Sequence, residues 1–551
     1  MRLWLTLPLT LALAGFVGAQ PTITANGVLN ASGYQNTLAP DTVFVIFGTA
    51  MGPATIATAS APNYPSSLSG TSITFTSSAG GTAITPKMIY TLASQVAGLL
   101  TSSIAPGSYA VRVTYNGQTS PPQNVTVVAR SFGIAAANSG GTGTAQATIG
   151  NVNGGISLTR FNNGAVGFNG LNWTLTPAHP GDSLVLWGTG GGADSANDTG
   201  GSLGDQTVQG SFIVIVGTRK ITPLYAGTSS GYPGLWQVNF TLPPDIPLDC
   251  FTPVQVSAGG VVGNTVTVPI AAAGQASCSD ASMSPTILSK LDSGGPITLG
   301  AFAIAKLNET TAGVTQETAS GEVVQFSPTE WIILNSGPRF GLCRVYDRSY
   351  PVGGKDPASP DAYLDAGSKL PLTGPNLPSG FGLNPVQTAV GPAYSNSPGA
   401  GTWVNGSYTI NGQGGKQVGP FTATTTFPLS FNVTNWNNIT AIDRTQPLVL
   451  NWSGSGFDQV GVVISSTVAT STLRHLTTIN CTLPATPSTY TIDSQALALL
   501  SPVAASGTSF GTITVQGITQ GIFTANLIPS GQLDFGAFGA NLGLVKNIAM
   551  Q

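Results

Sequence analysis

LAPDTVFVIFGTAMG at residues 38–52 returns as AHPGDSLVLWGTGGG at residues 178–192. The two phrases align without a gap: Pro40 meets Pro180, Val45 meets Val185, Phe47 meets Trp187, Gly48 meets Gly188 and Gly52 meets Gly192. The same shift pairs SGTSITF at 69–75 with QGSFIVI at 209–215. Farther along, ITP at 84–86 answers ITP at 221–223, Gln95-Val96 answers Gln237-Val238, and NVTV at 124–127 answers NTVTV at 264–268. A unit of this length is too long for a solenoid repeat of 20–50 residues, so each copy reads as a whole domain.

The runs VFVIFG and LVLWG are short and nearly continuous in apolar residues, as suits strands buried on both sides. YAVRVTY alternates, with Tyr109, Val111, Val113 and Tyr115 on one face, and reads as a half-buried strand. Gly, Pro and Asn turns separate such runs, and no amphipathic helix interrupts them. The expected fold class is all-β: tandem immunoglobulin-like β-sandwiches at 20–135 and 136–280, followed by a larger C-terminal β-rich domain at 285–551. Phe47 and Trp187 are expected to be equivalent core positions.

The motif series carries a resemblance. The pattern APxxxVxIFGxxxG, then LxGTSI, a Gln-Val strand, PGxYxVxVxxNG and NxVTV is similar to the Solibacter-type C-terminal module. That module recurs in secreted acidobacterial proteins and is related to IPT/TIG-like immunoglobulin domains. CFTPVQVSAGGVVGNTVTVPIAAAGQASCSD at 250–280 resembles the module's ending. The resemblance covers residues 25–280 and implies the sandwich fold and export. It implies no catalytic residues.

Charged residues make up 7% of the chain, and 18 Lys and Arg stand against 21 Asp and Glu. No basic cluster exceeds Arg219-Lys220, so no nucleic-acid or anionic-membrane footprint is present. A hydrophobic content of 41% argues against disorder. At the N-terminus, Arg2, an apolar stretch and VGA form a signal-peptide pattern over residues 1–19, with cleavage expected between Ala19 and Gln20. No later stretch is long and apolar enough to span a membrane, so no transmembrane segment is expected in the mature chain.

Export favours disulfides. Four cysteines allow three pairings. Domain membership selects Cys250–Cys278, in the second copy only, and Cys343–Cys481 in the C-terminal domain.

The candidates for chemistry are sparse. GTGGG at 188–192 lacks a Walker lysine and a following helix, so it reads as a strand-end turn. The two GxSxG matches, at Ser229 and Ser509, lack the strand–helix setting and the ordered Asp and His of a nucleophile elbow. His179 lies on the second copy's strand approach where the first copy has Ala39, and His475 has no partner nearby in sequence. Asp347, Asp356, Asp361 and Asp365 crowd one polar segment and offer hard oxygens to Ca²⁺, without EF-hand spacing. Asp194, Asn197 and Asp198 form a smaller set of the same kind. Glu309, Glu317, Glu322 and Glu330 are the acids available for glycoside hydrolysis.

Trp403, Trp436 and Trp452 sit in polar surroundings and are the candidate glycan-stacking residues. For Trp452, on an alternating strand, a core role competes. Eleven Asn-x-Ser/Thr sequons, among them Asn172, Asn432 and Asn451, read as a by-product of composition in a bacterial-looking chain. No cofactor is expected. The expected function is that of an exported, non-catalytic β-protein at or beyond the cell surface, in adhesion, matrix or ligand binding. Its partner would be a surface or extracellular glycan or protein. The alternatives are a carbohydrate-binding or carbohydrate-active protein, and an envelope assembly subunit.

Overall fold

The protein was analysed as a computed structural model, which describes residues 19–551 apart from 138, 151–155, 158, 163–171, 277, 279–286, 288–289, 291–292 and 336. The expected signal segment lies outside the described residues up to Ala19. Ala19 and Gln20 are exposed.

The fold is all-β, and the duplication is visible in its register. In the first copy, Thr42–Thr49 pairs antiparallel with Gln95–Leu100, placing Ile46 opposite Val96 and Phe47 opposite Gln95. In the second, Ser183–Thr189 pairs with Trp236–Thr241, placing Leu186 opposite Val238 and Trp187 opposite Gln237. The opposing sheets repeat as well. Thr71–Ser77 pairs with Gly107–Tyr115, as Ile213–Val216 pairs with Asp249–Ala258. Each long strand then pairs with a last one, Gln123–Val127 or Val266–Ile270. Each copy is therefore two sheets facing one another over its own core, built around Phe44, Ile46, Phe75 and Val111 in the first and Leu184, Leu186, Trp236 and Val254 in the second.

One expectation fails here. Phe47 and Trp187 are equivalent, but neither is a core residue, and both are only half-buried. Strand alternation turns their neighbours Ile46 and Leu186 into the cores and leaves these two rings on the opposite face. The bulk removed from water is instead carried by Trp236, which is 1% exposed and stacks on Phe212.

Residues 297–550 build a 14-stranded sheet with smaller sheets against it. Its centre holds three long strands in register, Val314–Phe326 against Ile297–Glu309 against Phe535–Asn547, the last pair parallel. Two cores lie along it, one around Trp403, Tyr408, Phe427 and Phe538 and one around Trp436, Trp452, Ile464 and Ile513. FPLSFNV at 427–433 alternates in apolar residues but is not a single strand. It breaks at Pro428 into Phe421–Phe427 and Ser430–Val433, which belong to different sheets, and Leu429 between them is exposed. Proline lacks the N–H that a continuing ladder needs.

Two helices are informative. Ser494–Leu497 is a single turn capped by Asp493, whose carboxylate accepts from Gln495 N at 2.7 Å. Pro328–Asn335 was not expected. Ser327 and Glu330 close its first turn reciprocally, with Glu330 N donating to Ser327 Oγ and Ser327 N to Glu330 Oε2.

Candidate functional site

On the large sheet, alternation sends Phe302, Ile304, Ala319, Val323 and Tyr394 into the core. Their neighbours point the other way. Ala301 lies opposite Glu322, Ala303 opposite Ser320, and Ser320 opposite Ser395 on the next strand. These outward side chains, with Ala393 and Val386, line an open depression of about 420 Å³. Small residues make it: Ala and Ser on three neighbouring strands leave room where longer side chains would meet.

One charged group faces this depression. Burial pushes the Glu322 carboxyl above its usual range, and a hydrogen bond with Tyr363 opposes that shift. Tyr363 pairs with Val324 on the same strand as Glu322. Among the described residues, no lysine, arginine or histidine forms an ion pair with Glu322. Two residues before Tyr363, Asp361 and Glu330 share Lys355, with Asp361 Oδ1 accepting from its ammonium at 3.1 Å. An uncompensated carboxyl, two hydroxyls and an apolar floor can hold a ligand that brings its own cation or hydrogen-bond donors.

The other acids have structural partners. Glu309 caps a turn by accepting from Thr311 and Ala312 N–H. Glu317 accepts from three successive backbone N–H groups, Gly401, Thr402 and Trp403, and pairs with Lys306 at 3.1 Å. Burial alone would raise its carboxyl, but these donors outweigh it and hold it below its usual value.

The calcium candidates are not brought together. Asp347 bonds His475, Asp356 accepts from Arg348 Nε at 2.8 Å, Asp361 pairs with Lys355, and Asp365 accepts from Gly367 N. Among the described residues, no three His, Cys, Asp or Glu gather as a metal site. Asp194, Asn197 and Asp198 instead hold a loop of the second copy, and Asp198 and the Asp194 N–H also bond Ser102 of the first. Asp194 accepts from Asn197 N, Leu203 N and Thr228 Oγ1, Asn197 Oδ1 accepts from Gly234 N, and Asp198 accepts from Ser102 N.

The glycan-stacking expectation is overturned by burial. Trp403, Trp436 and Trp452 are 2%, 5% and 3% exposed. Trp403 packs among Tyr408 and Phe427, Trp436 donates to Thr310 Oγ1, and Trp452 donates to the Ala485 carbonyl. No ring face is left for a sugar, because strand alternation turns each inward and a local acceptor or aromatic packing accommodates its polar neighbourhood.

Ser229 sits in the turn that returns at Leu235, and Ser509 Oγ accepts from Ala469 N. His179 contacts Asp182 and the Gln275 carbonyl. His475 does have a partner, which the sequence hid by a separation of 128 residues. Its Nε2 lies 2.5 Å from Asp347 Oδ1, and Thr477 Oγ1 donates to the same oxygen at 2.8 Å. The hydrogen bond with Asp347 raises the imidazole's pKa against a smaller opposing effect of burial. Both cysteine pairs are bonded, Cys250–Cys278 and Cys343–Cys481. Cys343 and Cys481 lie directly opposite on paired strands. No helix among the described residues is long and apolar enough to cross a membrane.

No family model matches the chain, and no curated protein matches it. Solved structures do show similarity along most of its length. SGBP-B from a complex xyloglucan utilization locus in Bacteroides uniformis is 9% identical, with 97% of this chain and 95% of that one covered at a TM-score of 0.17. Sidekick-1 immunoglobulin domains 1–4 are 9% identical, with 95% and 98% covered at 0.12. The chicken CNTN1 FN1–FN3 domains are 8% identical, with 95% and 99% covered at 0.13. TM-scores this low carry no functional conclusion.

Proposed function

We propose that this is an exported, non-catalytic binding protein. Two immunoglobulin-like modules of the Solibacter type carry a C-terminal β-domain whose outward sheet face takes an extracellular ligand. The observation that supports this reading most is the depression over Ala301, Ala303, Ser320 and Ser395, with Glu322 facing it and paired with no cation among the described residues. It is open and preformed on a rigid sheet, as binding sites are. Export is supported by the signal-peptide pattern and the two disulfides. The test is binding of residues 20–551 to an array of immobilised glycans and extracellular proteins, in parallel with Ser320→Trp, which fills the depression. Binding that the substitution abolishes supports the reading. Binding that it leaves intact places the ligand elsewhere and refutes this site.

A further inference from the structure

We infer that the depression on the large sheet recognises an amino sugar with a free amine, a glucosamine-type residue whose ammonium pairs with Glu322 and whose ring hydroxyls meet Ser320 and Ser395. The inference rests on the binding reading above and specifies its ligand class.

Charge complementarity is the first argument. Glu322 points into the depression, half-buried, with Tyr363 as its hydrogen-bonding side chain. The nearby ammonium of Lys355 is already shared by Glu330 and Asp361. Three carboxylates therefore stand against one ammonium, and Glu322 is the one with no ion-pair partner among the described residues, at a place where water is partly excluded. A carboxylate in that setting gains most from a partner that brings a positive charge with N–H donors.

The second argument is the arrangement of neutral groups. Ser320 and Ser395 are directly opposite each other on adjacent strands, and both are exposed. Opposed residues of a sheet stand about 4.5–5.5 Å apart at Cβ. Two hydroxyls at that separation can each exchange hydrogen bonds with a polyol. Ala301, Ala303 and Ala393 beside them present a low floor that a sugar ring can lie against without a clash. A lysine side chain would satisfy the carboxylate but leave both hydroxyls to water. A neutral sugar would satisfy the hydroxyls but leave the carboxylate without a cation. At about 420 Å³ the space matches small-molecule sites and is open enough for a chain to continue past it.

Calorimetric titration of residues 20–551 with four probes tests this: a glucosamine tetramer, its fully N-acetylated counterpart, a glucose tetramer and tetralysine. The glucosamine tetramer should bind at least tenfold more tightly than each of the others. Glu322→Gln, which keeps the side chain's shape and removes its charge, should erase that preference. Ser320→Trp should abolish binding, with an unchanged melting midpoint as the check on folding. Equal binding of the glucosamine and acetylated tetramers, lost in Ser320→Trp, overturns the amine assignment and leaves the site standing. Tetralysine binding as tightly as the sugar overturns the sugar assignment. Glucosamine binding that neither substitution changes overturns the inference and the site together, and so does an absence of binding by every probe.

Discussion

The Trp236 indole donates its hydrogen bond to Asp41 Oδ2 at 3.1 Å, from the second copy of the repeat to the first. Around this contact, Val43 N donates to Thr189 Oγ1 at 2.8 Å, which donates in turn to the Gly234 carbonyl, and Asn30 Nδ2 donates to the Ser131 and Thr189 carbonyls. The phrase that is written twice thus meets itself. The start of its first-copy strand touches the end of its second-copy strand, and the glycine after that end is needed there. A Cβ on Gly190, at φ +90°, would sit 2.4 Å from the Ser131 carbonyl.

Asp41 makes this contact sensitive to pH. Burial raises its carboxyl to about 9, the Trp236 hydrogen bond opposes that, and Asp198 and Asp194 add to it. Oδ1 has no hydrogen-bond partner. Between the ordinary value of 3.8 and about 9 the folded state holds a proton that the unfolded state has released. Stability supplied by the neutral acid is complete below 3.8 and falls as pH rises toward 9, by at most about 1.4 kcal/mol per pH unit. Denaturant unfolding of the two-copy fragment at pH 5 and pH 8 should show the loss. Asp41→Asn should flatten it, and an unchanged slope in that variant would rule out Asp41 as its source.

The two repeat tryptophans should behave unequally. Trp236→Ala empties a fully buried site and should cost about 3–5 kcal/mol. Trp187→Ala removes a half-buried ring and should cost less than half of that. Calorimetric melting midpoints decide the order, and a larger drop for Trp187 would contradict the packing described.

Reduction should act unequally too. In the chain-entropy description, a loop of 28 residues is worth about 3.6 kcal/mol and one of 138 about 5 kcal/mol. Removing Cys343–Cys481 as a Cys→Ala pair should therefore destabilise more than removing Cys250–Cys278. Equal losses would show that chain entropy does not govern these links.

The His475–Asp347 pair should titrate. A raised imidazole pKa means that the stability it contributes is fully present below 6.5 and is lost as pH climbs through the higher folded value. More than a third of each side chain faces solvent, so screening keeps the contribution below about 1 kcal/mol. NMR titration should place His475 above 6.5, and Asp347→Asn should lower it. An unmoved value in that variant would mean that Asp347 does not set it.

Much of this fold was legible because duplication gives two independent readings of one pattern. The sequence shows that Phe47 answers Trp187 and that Gln95 answers Gln237, and the structure adds that the members of each copy face one another across paired strands. What misled was composition. Phe47 and Trp187 lie within apolar runs, and such a run does not say which side of the strand faces the core. Trp403, Trp436 and Trp452 lie among polar residues, which here are turn and strand-face residues around rings that point inward. The helix at 328–335 carried a readable signal, Ser327 followed by Pro328 and Glu330, a capping box with proline at the first helical position. The depression carried none, since Ala301, Ser320 and Ser395 become neighbours only through long-range strand pairing.

Hydrogen–deuterium exchange over the whole chain, with and without the glucosamine tetramer, tests the central claim most directly. Protection confined to peptides spanning 299–304, 318–324 and 391–396 is the predicted result. Protection elsewhere, such as around the exposed Leu203, Val208 and Leu224 of the second copy, with those peptides unchanged, would contradict it.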